Sequence, residues 1–210
     1  MTGIGCGIAP LDPSTGSLVI ASVTPALLAE VFALERIVRV PLDLQGDLLV
    51  HQDTARFLAE VGLPRAEGVL FELREDLADG LTPLSEHRDV GQLVDLEGFT
   101  SDAYRWLHLG RAFSSDVVLD GKTGSVHAIN LDARRIEKVH TDVSGMTYGM
   151  YLLERRRPDY DPPDEFPEID DLIAVAEEIR EALSQVDPVP YMDGDGVWET
   201  VHDEVSAGMW

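Results

Sequence analysis

Residues Asp116–Leu131 read DVVLDGKTGSVHAINL, in which two apolar runs flank a short stretch rich in Asp and Gly. Apolar runs that meet at such a turn predict a β-hairpin. Tyr104–Gly110 before the hairpin alternates in the manner of a strand, and Arg134–Val139 after it predicts another strand. Because these strands follow one another without an intervening helix, the sequence predicts an antiparallel sheet and an α+β fold.

The first half of this stretch also differs by one residue from the phosphate-loop pattern GxxxxGK[ST]. Asp116 stands where the pattern has its first Gly, and Lys122 and Thr123 complete the match. A phosphate loop must precede a helix, so that the amides of the helix N-terminus converge on the anion. A strand follows here instead, so we interpret the match as the turn of the hairpin.

A helix is predicted within Asp53–Pro64, DTARFLAEVGLP. Asp53 or Thr54 is expected to cap its N-terminus. Gly62 is expected to adopt the left-handed conformation that ends a helix, and Pro64 prevents its continuation. The apolar stripe of this helix consists of Ala55, Phe57, Leu58 and Val61.

The C-terminal third is predicted to be helical. One helix begins after Asp142 and ends with the basic run 155–157, before Pro158. A Pro-rich acidic linker, 159–167, leads to a helix of about five turns whose apolar spacing starts at Ile169. A last short helix places three apolar side chains together: Trp198, Val201 and Val205. We predict an N-terminal lead (1–23), an α+β domain (24–157) and an acidic linker with a helical extension packed on the same domain (158–210).

The composition is that of a folded protein with a large negative charge. The 210 residues are 44% hydrophobic, and 39 acidic residues face 16 basic ones, which gives a formal charge of −23. Such a charge repels a bare phosphate backbone, so we predict no direct binding to nucleic acid. No basic leader or membrane-spanning apolar run is present, which predicts a cytoplasmic protein without membrane contact. Cys6 is the only cysteine, and the sequence assigns it no role.

No pattern in the sequence specifies catalytic chemistry. The six histidines include no HExxH motif, although His127 and His140 could approach each other on neighbouring strands. Glu199 and His202 form a single ExxH, whereas a di-iron bundle needs two such motifs and two further glutamates. We therefore predict no catalytic residue, no cofactor and no metal site. A small metal-dependent hydrolase that uses Glu199 with His202 stays as an alternative.

Five segments occur in the order and spacing of a known family. They are FLAEVGLP (57–64), WLHLG (106–110), VVLDGKTGSVHAIN (117–130), the helix start after Thr141, and WETVHDEVSAGM (198–209). Together they resemble the fourth, actinobacterial group of the SUKH superfamily of immunity proteins. Two departures stand out: His127 replaces the commoner aromatic residue of its strand, and VSGMTYGM replaces the usual Ser-Leu-Phe pattern of its helix.

The resemblance implies an α+β fold, an antiparallel sheet packed with helices, and the neutralisation of a cognate toxin of a bacterial polymorphic toxin system. Toxins paired with this superfamily are often nucleases or nucleic-acid deaminases. A toxin that grips nucleic acid carries a basic cleft, so an acidic partner would associate faster through electrostatic steering and could cover that cleft. A regulatory protein-binding module without a toxin partner is the other alternative.

The charge is concentrated near the C-terminus, where sixteen acidic residues and one basic residue, Arg180, lie between Asp159 and Glu204. We predict that the partner contacts the densest part of this segment. An acidic residue at a helix N-terminus also stabilises the helix dipole, which is a structural explanation for some of these residues. The candidate contacts are Asp159, Asp161, Asp164, Glu165, Asp170 and Asp171.

Overall fold

A computed structural model describes residues 20–66, 70–162 and 167–209. Its larger sheet has five antiparallel strands in the order β3-β4-β5-β6-β7, each next to its neighbour in sequence. This meander, together with the five helices of the described residues, confirms the predicted α+β fold and antiparallel sheet. The strands of the larger sheet are β3 (Glu72–Leu73), β4 (Leu107–Ala112), β5 (Ser115–Leu119), β6 (Val126–Asn130) and β7 (Arg135–His140).

The predicted hairpin is formed by β5 and β6. In its turn, one carboxylate oxygen of Asp120 accepts a hydrogen bond from the backbone N–H of Lys122 at 2.9 Å, and the other accepts one from the Thr123 hydroxyl at 2.8 Å. A strand follows this turn, as expected for a hairpin. The preceding strand is shorter than predicted, because residues 103–105 form a 3₁₀ turn and β4 begins only at Leu107.

A smaller sheet and the first two helices lie near the N-terminus. The two strands of the smaller sheet are antiparallel. The elements are α1 (Pro25–Leu28), β1 (Ile37–Val38), α2 (Gln52–Glu60) and β2 (Leu63–Pro64). Cys6 and most of the predicted lead lie outside the described residues.

The predicted cap of α2 is wrong, whereas its predicted end is confirmed. Asp53 and Thr54 lie inside the helix, and the capping group is the Nδ1 of His51, which accepts from the backbone N–H of Thr54 at 3.4 Å. Gly62 has a φ of +87°, and a Cβ there would lie 2.5 Å from the backbone oxygen of Val38. Gly62 therefore allows both the turn and the close approach of β1.

The helix predicted to end at Arg157 continues through Pro158. This helix, α3, spans Val143–Tyr160. Tyr160 is fully buried, and its hydroxyl donates to the backbone oxygen of Leu153 at 3.1 Å. Burial of this side chain holds the last helical turn in place although proline cannot donate the usual backbone hydrogen bond. The domain boundary predicted after Arg157 thus falls inside α3.

The two faces of the larger sheet bury different cores. Alternate residues of β5 show this, since Val117 and Leu119 join the main core with α3 while Val118 joins a smaller core on the opposite, outer face. Residues 84–106 cover part of the outer face with short 3₁₀ turns. The smaller core consists of Leu84, Leu93, Leu96, Ala103, Trp106, Val118 and Ile129.

The C-terminal residues cover the edge of the sheet at β7. They form α4 (Ile169–Val186), a connection (187–196) and α5 (Val197–Ala207). Arg135 on β7 forms an ion pair with Asp195 at 2.7 Å, and Glu137 accepts from the backbone N–H of Val197 at 3.0 Å. An uncovered edge strand can pair with other chains, and β7 is protected both by these contacts and by Glu97, whose backbone oxygen accepts from the N–H of Ile136 at 2.7 Å.

Candidate functional site

The six predicted contact residues fall into three groups. Asp164 and Glu165 lie outside the described residues. Asp159 and Asp161 at the end of α3 form ion pairs with Arg156 at 2.9 Å and Arg157 at 3.3 Å, so their charges are partly neutralised. Asp170 and Asp171 are exposed in the first turn of α4.

The exposed side of α4 combines carboxylates with apolar side chains. The predicted apolar spacing began at Ile169, but Ile169 and Ile173 are 65% and 44% exposed, and the stripe that packs inward starts at Leu172. We call this exposed side the α4 outer face; it consists of Ile169, Asp170, Asp171, Ile173, Glu177, Glu178 and Glu181.

A second candidate site is a groove of about 690 Å³ on the part of the outer sheet face that residues 84–106 leave open. Its floor contains the rings of Trp106 and His127, which stack with their centroids 4.1 Å apart. Lys138 lies directly opposite His127 on the neighbouring strand. Ile136 and the loop residue Asp102 also line the groove.

A chain of hydrogen bonds fixes which nitrogen of His127 carries the proton. A carboxylate only accepts, so the Thr123 hydroxyl donates to Asp120 at 2.8 Å. The Ser125 hydroxyl must then supply the hydrogen of its 2.7 Å contact with Thr123, and Nε2 of His127 must donate to Ser125 at 2.9 Å. With the proton on Nε2, Nδ1 of His127 is a hydrogen-bond acceptor.

His127 is neutral at physiological pH. Burial lowers its pKa to about 4; the Asp120 charge opposes this shift, whereas the Lys138 charge adds to it. With its proton on Nε2, the ring cannot accept the Ser125 hydroxyl proton through that nitrogen. The Ser125–His127 pair therefore lacks the arrangement of a base next to a nucleophile.

We expect the neutral His127 to make folding stability depend on pH. Above pH 6.5 the imidazole is neutral in both states, but below this pH the unfolded chain binds a proton that the folded chain does not bind until about pH 4. Stability is therefore lost as the pH falls, by roughly 2 kcal/mol between pH 7 and pH 5. Urea denaturation at both pH values should show a smaller loss for His127→Phe, and an equal loss in both proteins would contradict this assignment.

His140 and His127 do not form a joint site. His140 is fully buried, where Nδ1 contacts the Asp187 carboxylate at 3.0 Å and Nε2 accepts from the Trp198 indole at 2.7 Å. Burial lowers the pKa of His140, and the bond to Asp187 opposes that shift. The buried group of His140, Asp187 and Trp198 connects β7, the connection and α5, which makes it a structural feature.

The residues of the ExxH motif have other partners. Glu199 forms an ion pair with Arg180, and His202 lies 3.4 Å from a carboxylate oxygen of Glu177. Across residues 20–66, 70–162 and 167–209, no group of three or more His, Cys, Asp or Glu side chains could hold a metal ion.

A family model described as SUKH-4 immunity protein matches residues 23–204. The chain belongs to the SUKH-4 immunity protein family. The resemblance found in the sequence is thereby confirmed, and with it an immunity role and a cognate toxin as the binding partner. The search of curated proteins and the search of solved structures each found no match.

The structure of this SUKH-4 protein adds features that the sequence analysis missed. The groove was not predicted, because Trp106 and Lys138 are 32 residues apart and only the sheet register brings them to one face. The only sequence signal for this groove was the alternation of side chains along β6 and β7, which places every second residue on the same face of the sheet. Among the described residues, no helix has the length and apolar composition needed to cross a bilayer.

Proposed function

We propose that this SUKH-4 protein neutralises its toxin by stoichiometric binding through the α4 outer face, without transforming a substrate. The proposed toxin is a nuclease or a nucleic-acid deaminase, because such an enzyme needs a basic cleft for its substrate. The acidic face would cover that cleft in the cytoplasm. The strong negative charge that attracts such a toxin also disfavours direct binding of nucleic acid by the SUKH-4 protein itself.

The observation that carries this proposal is the composition of the α4 outer face. Ile169 and Ile173 provide exposed apolar surface, and carboxylates surround them. An apolar centre with a polar rim is the usual composition of a protein–protein interface. The carboxylates add long-range attraction, which increases the rate at which a basic partner associates.

The helix dipole explains only part of this charge. Asp170 and Asp171 lie in the first turn of α4, where acidic side chains stabilise the helix. Glu177 and Glu181 lie at least one turn further along, where the dipole effect has decayed, whereas Glu178 beside them is partly neutralised by an arginine of α3 at 2.6 Å. A partner with a basic surface accounts for both groups.

The six candidate contacts from the sequence contribute unequally in this proposal. Asp170 and Asp171 belong to the α4 outer face and lead the contact set. Asp159 and Asp161 share their charge with Arg156 and Arg157 and therefore attract a partner less strongly. Asp164 and Glu165, in the linker before α4, stay in the contact set.

Charge reversal on the α4 outer face tests the proposal. In a variant that carries Asp170→Lys, Asp171→Lys, Glu177→Lys and Glu181→Lys, we expect association with the toxin encoded beside this gene to slow by about tenfold or more at low salt. The dependence of the association rate on salt should also weaken. Stopped-flow or surface plasmon resonance measurements at several salt concentrations check both effects.

A matched variant separates local from overall charge. It reverses four exposed acidic residues outside α4: Glu35, Asp43, Asp47 and Glu60. Each reversal adds two positive charges, so both variants change from −23 to −15. The matched variant should associate nearly as fast as the original protein, and equal slowing of the two variants would refute the assignment of the α4 outer face.

A further inference from the structure

The groove on the outer sheet face differs in charge from the rest of this acidic protein. Asp102 at the rim is paired with Lys122 at 2.7 Å, and the other two charged residues of the lining, Lys138 and Asp120, have opposite signs. The groove is therefore a nearly charge-balanced concavity in a molecule with a charge of −23. Residues that dominate binding energy usually insert into such pockets, while unbalanced charge stays at the interface rim.

The hydrogen-bonding groups of the groove leave two adjacent positions unfilled. Nδ1 of His127 is an acceptor, because the proton of the ring is on Nε2, and the Lys138 ammonium is a donor. Residues directly opposite each other on antiparallel strands have side chains about 5 Å apart at Cβ, so one incoming group can reach both. The group that satisfies both must donate to His127 and accept from Lys138.

The apolar part of the groove restricts the incoming group further. Ile136 and the ring of His127, which stacks on the buried Trp106, form an apolar surface beside the two polar positions. The Trp106 side chain is only 5% exposed, and its Nε1 has no acceptor among the described residues. Trp106 therefore supports the groove from below without contacting an occupant, and the incoming segment needs a ring to cover the apolar surface above it.

Among protein side chains, tyrosine fits these requirements. Its hydroxyl both donates and accepts, and its ring covers apolar surface. Tryptophan only donates, ionised carboxylates only accept, and phenylalanine leaves both polar groups of the groove without a partner. Neutral histidine donates and accepts through two different ring nitrogens, so no single atom of it can serve both groups. Arginine has no acceptor and would be repelled by Lys138.

We propose that the groove receives a tyrosine side chain of the cognate toxin, as a second contact beside the α4 outer face. The inference rests on the proposed function, because the toxin is the occupant. The two contacts have different kinetic roles. The α4 outer face sets the association rate through charge, whereas the tyrosine in the groove sets the dissociation rate through short-range contacts.

Two groove variants test the inference through the dissociation rate. His127→Phe keeps a ring to stack on Trp106 but removes the acceptor, and Lys138→Met keeps most of the chain length but removes the donor. We expect each to speed dissociation of the toxin complex by about tenfold while the association rate changes little. Arg111→Met, an exposed strand residue outside the groove, is the charge-matched control and should dissociate like the original protein.

Substitution of each toxin tyrosine by phenylalanine completes the test. One such substitution should speed dissociation in the original protein but add little when His127→Phe is already present, which indicates direct coupling. Unchanged dissociation in both groove variants, or strictly additive effects for every toxin tyrosine, would overturn the inference. If the α4 variant associates slowly but the groove variants dissociate normally, the inference about the groove fails and the proposed function stands. If the original protein and the toxin form no complex, both the inference and the proposed function fail.

Discussion

Replacement of Asp187 by alanine is expected to lower the free energy of unfolding by roughly 3–5 kcal/mol. The Asp187 side chain is fully buried in the connection between α4 and α5. It accepts from Nδ1 of His140 at 3.0 Å, from the backbone N–H of Thr141 at 3.0 Å and from the Thr141 hydroxyl at 2.9 Å. Alanine would leave these donors without an acceptor, and a buried donor without an acceptor loses its hydration with nothing to compensate for it.

The ionised form of Asp187 is the one that the fold stabilises. Burial alone would raise its pKa, but the hydrogen bonds from His140 and Thr141 outweigh burial and hold the pKa below its usual value. Asp187→Asn should therefore also destabilise, though less than alanine, because one amide oxygen replaces two carboxylate oxygens as acceptors. We therefore expect the original protein to be the most stable, Asp187→Asn to be less stable, and Asp187→Ala to be the least stable.

Urea denaturation at pH 7 measures both variants. Asp203→Ala is the matched control, because the side chain of Asp203 on α5 is 81% exposed, and it should change stability by less than about 0.5 kcal/mol. A loss for Asp187→Ala no larger than that of the control would show that the buried group does not stabilise the fold.

Local sequence patterns predicted the elements but not this buried group. The hairpin was readable because both of its strands and its turn lie within sixteen residues, and the helix with Trp198 was readable from apolar spacing. His140, by contrast, meets Asp187 47 residues later and Trp198 58 residues later. A lone histidine in a strand gives no local signal of partners at that distance.

The two glycines of α3 show why the unusual helix sequence VSGMTYGM suits this fold. A Cβ on Gly145 would lie 2.6 Å from a carboxylate oxygen of Asp187, and a Cβ on Gly149 would lie 2.5 Å from ring atoms of Trp198. Glycine is unfavourable in a helix interior, so its presence at both positions indicates close packing against α3. The sequence displayed this departure from the family pattern, but the residues that require it became evident only in three dimensions.

The candidate site was also only partly predictable from the sequence. The concentration of acidic residues near the C-terminus was visible in the sequence, but the ion pairs of Asp159 and Asp161 were not predicted, because the helix was expected to end at Arg157 and both residues were assigned to the linker. The exposure of Ile169 and Ile173 could not be predicted either, because helical spacing places them at the border of the apolar stripe. Only the packing of α4 decides which side of such a stripe is buried.

A chain that ends at Pro162 is expected not to fold into a stable monomer. It keeps α3 complete but loses α4 and α5, whose side chains fill the main core. Each large buried apolar side chain contributes roughly 1.5–3 kcal/mol, so the loss of five approaches or exceeds the roughly 5–15 kcal/mol stability of a typical domain. The five are Leu172, Val175, Ile179, Leu183 and Trp198.

The same truncation removes the C-terminal part of the cover of the edge strand β7. Arg135 and Glu137 lose their contacts with Asp195 and Val197, and His140 loses both of its side-chain partners. An exposed edge beside an open core favours association between chains, so size-exclusion chromatography should show aggregates and thermal melts should lack a cooperative transition. A control that ends at Gly208 keeps α5 and its cap and should melt like the original protein. A truncated chain that is monomeric and unfolds cooperatively would contradict this expectation. It would mean that the core of residues 24–157 is stable on its own. The acidic extension, including the α4 outer face, could then be removed without unfolding the sheet.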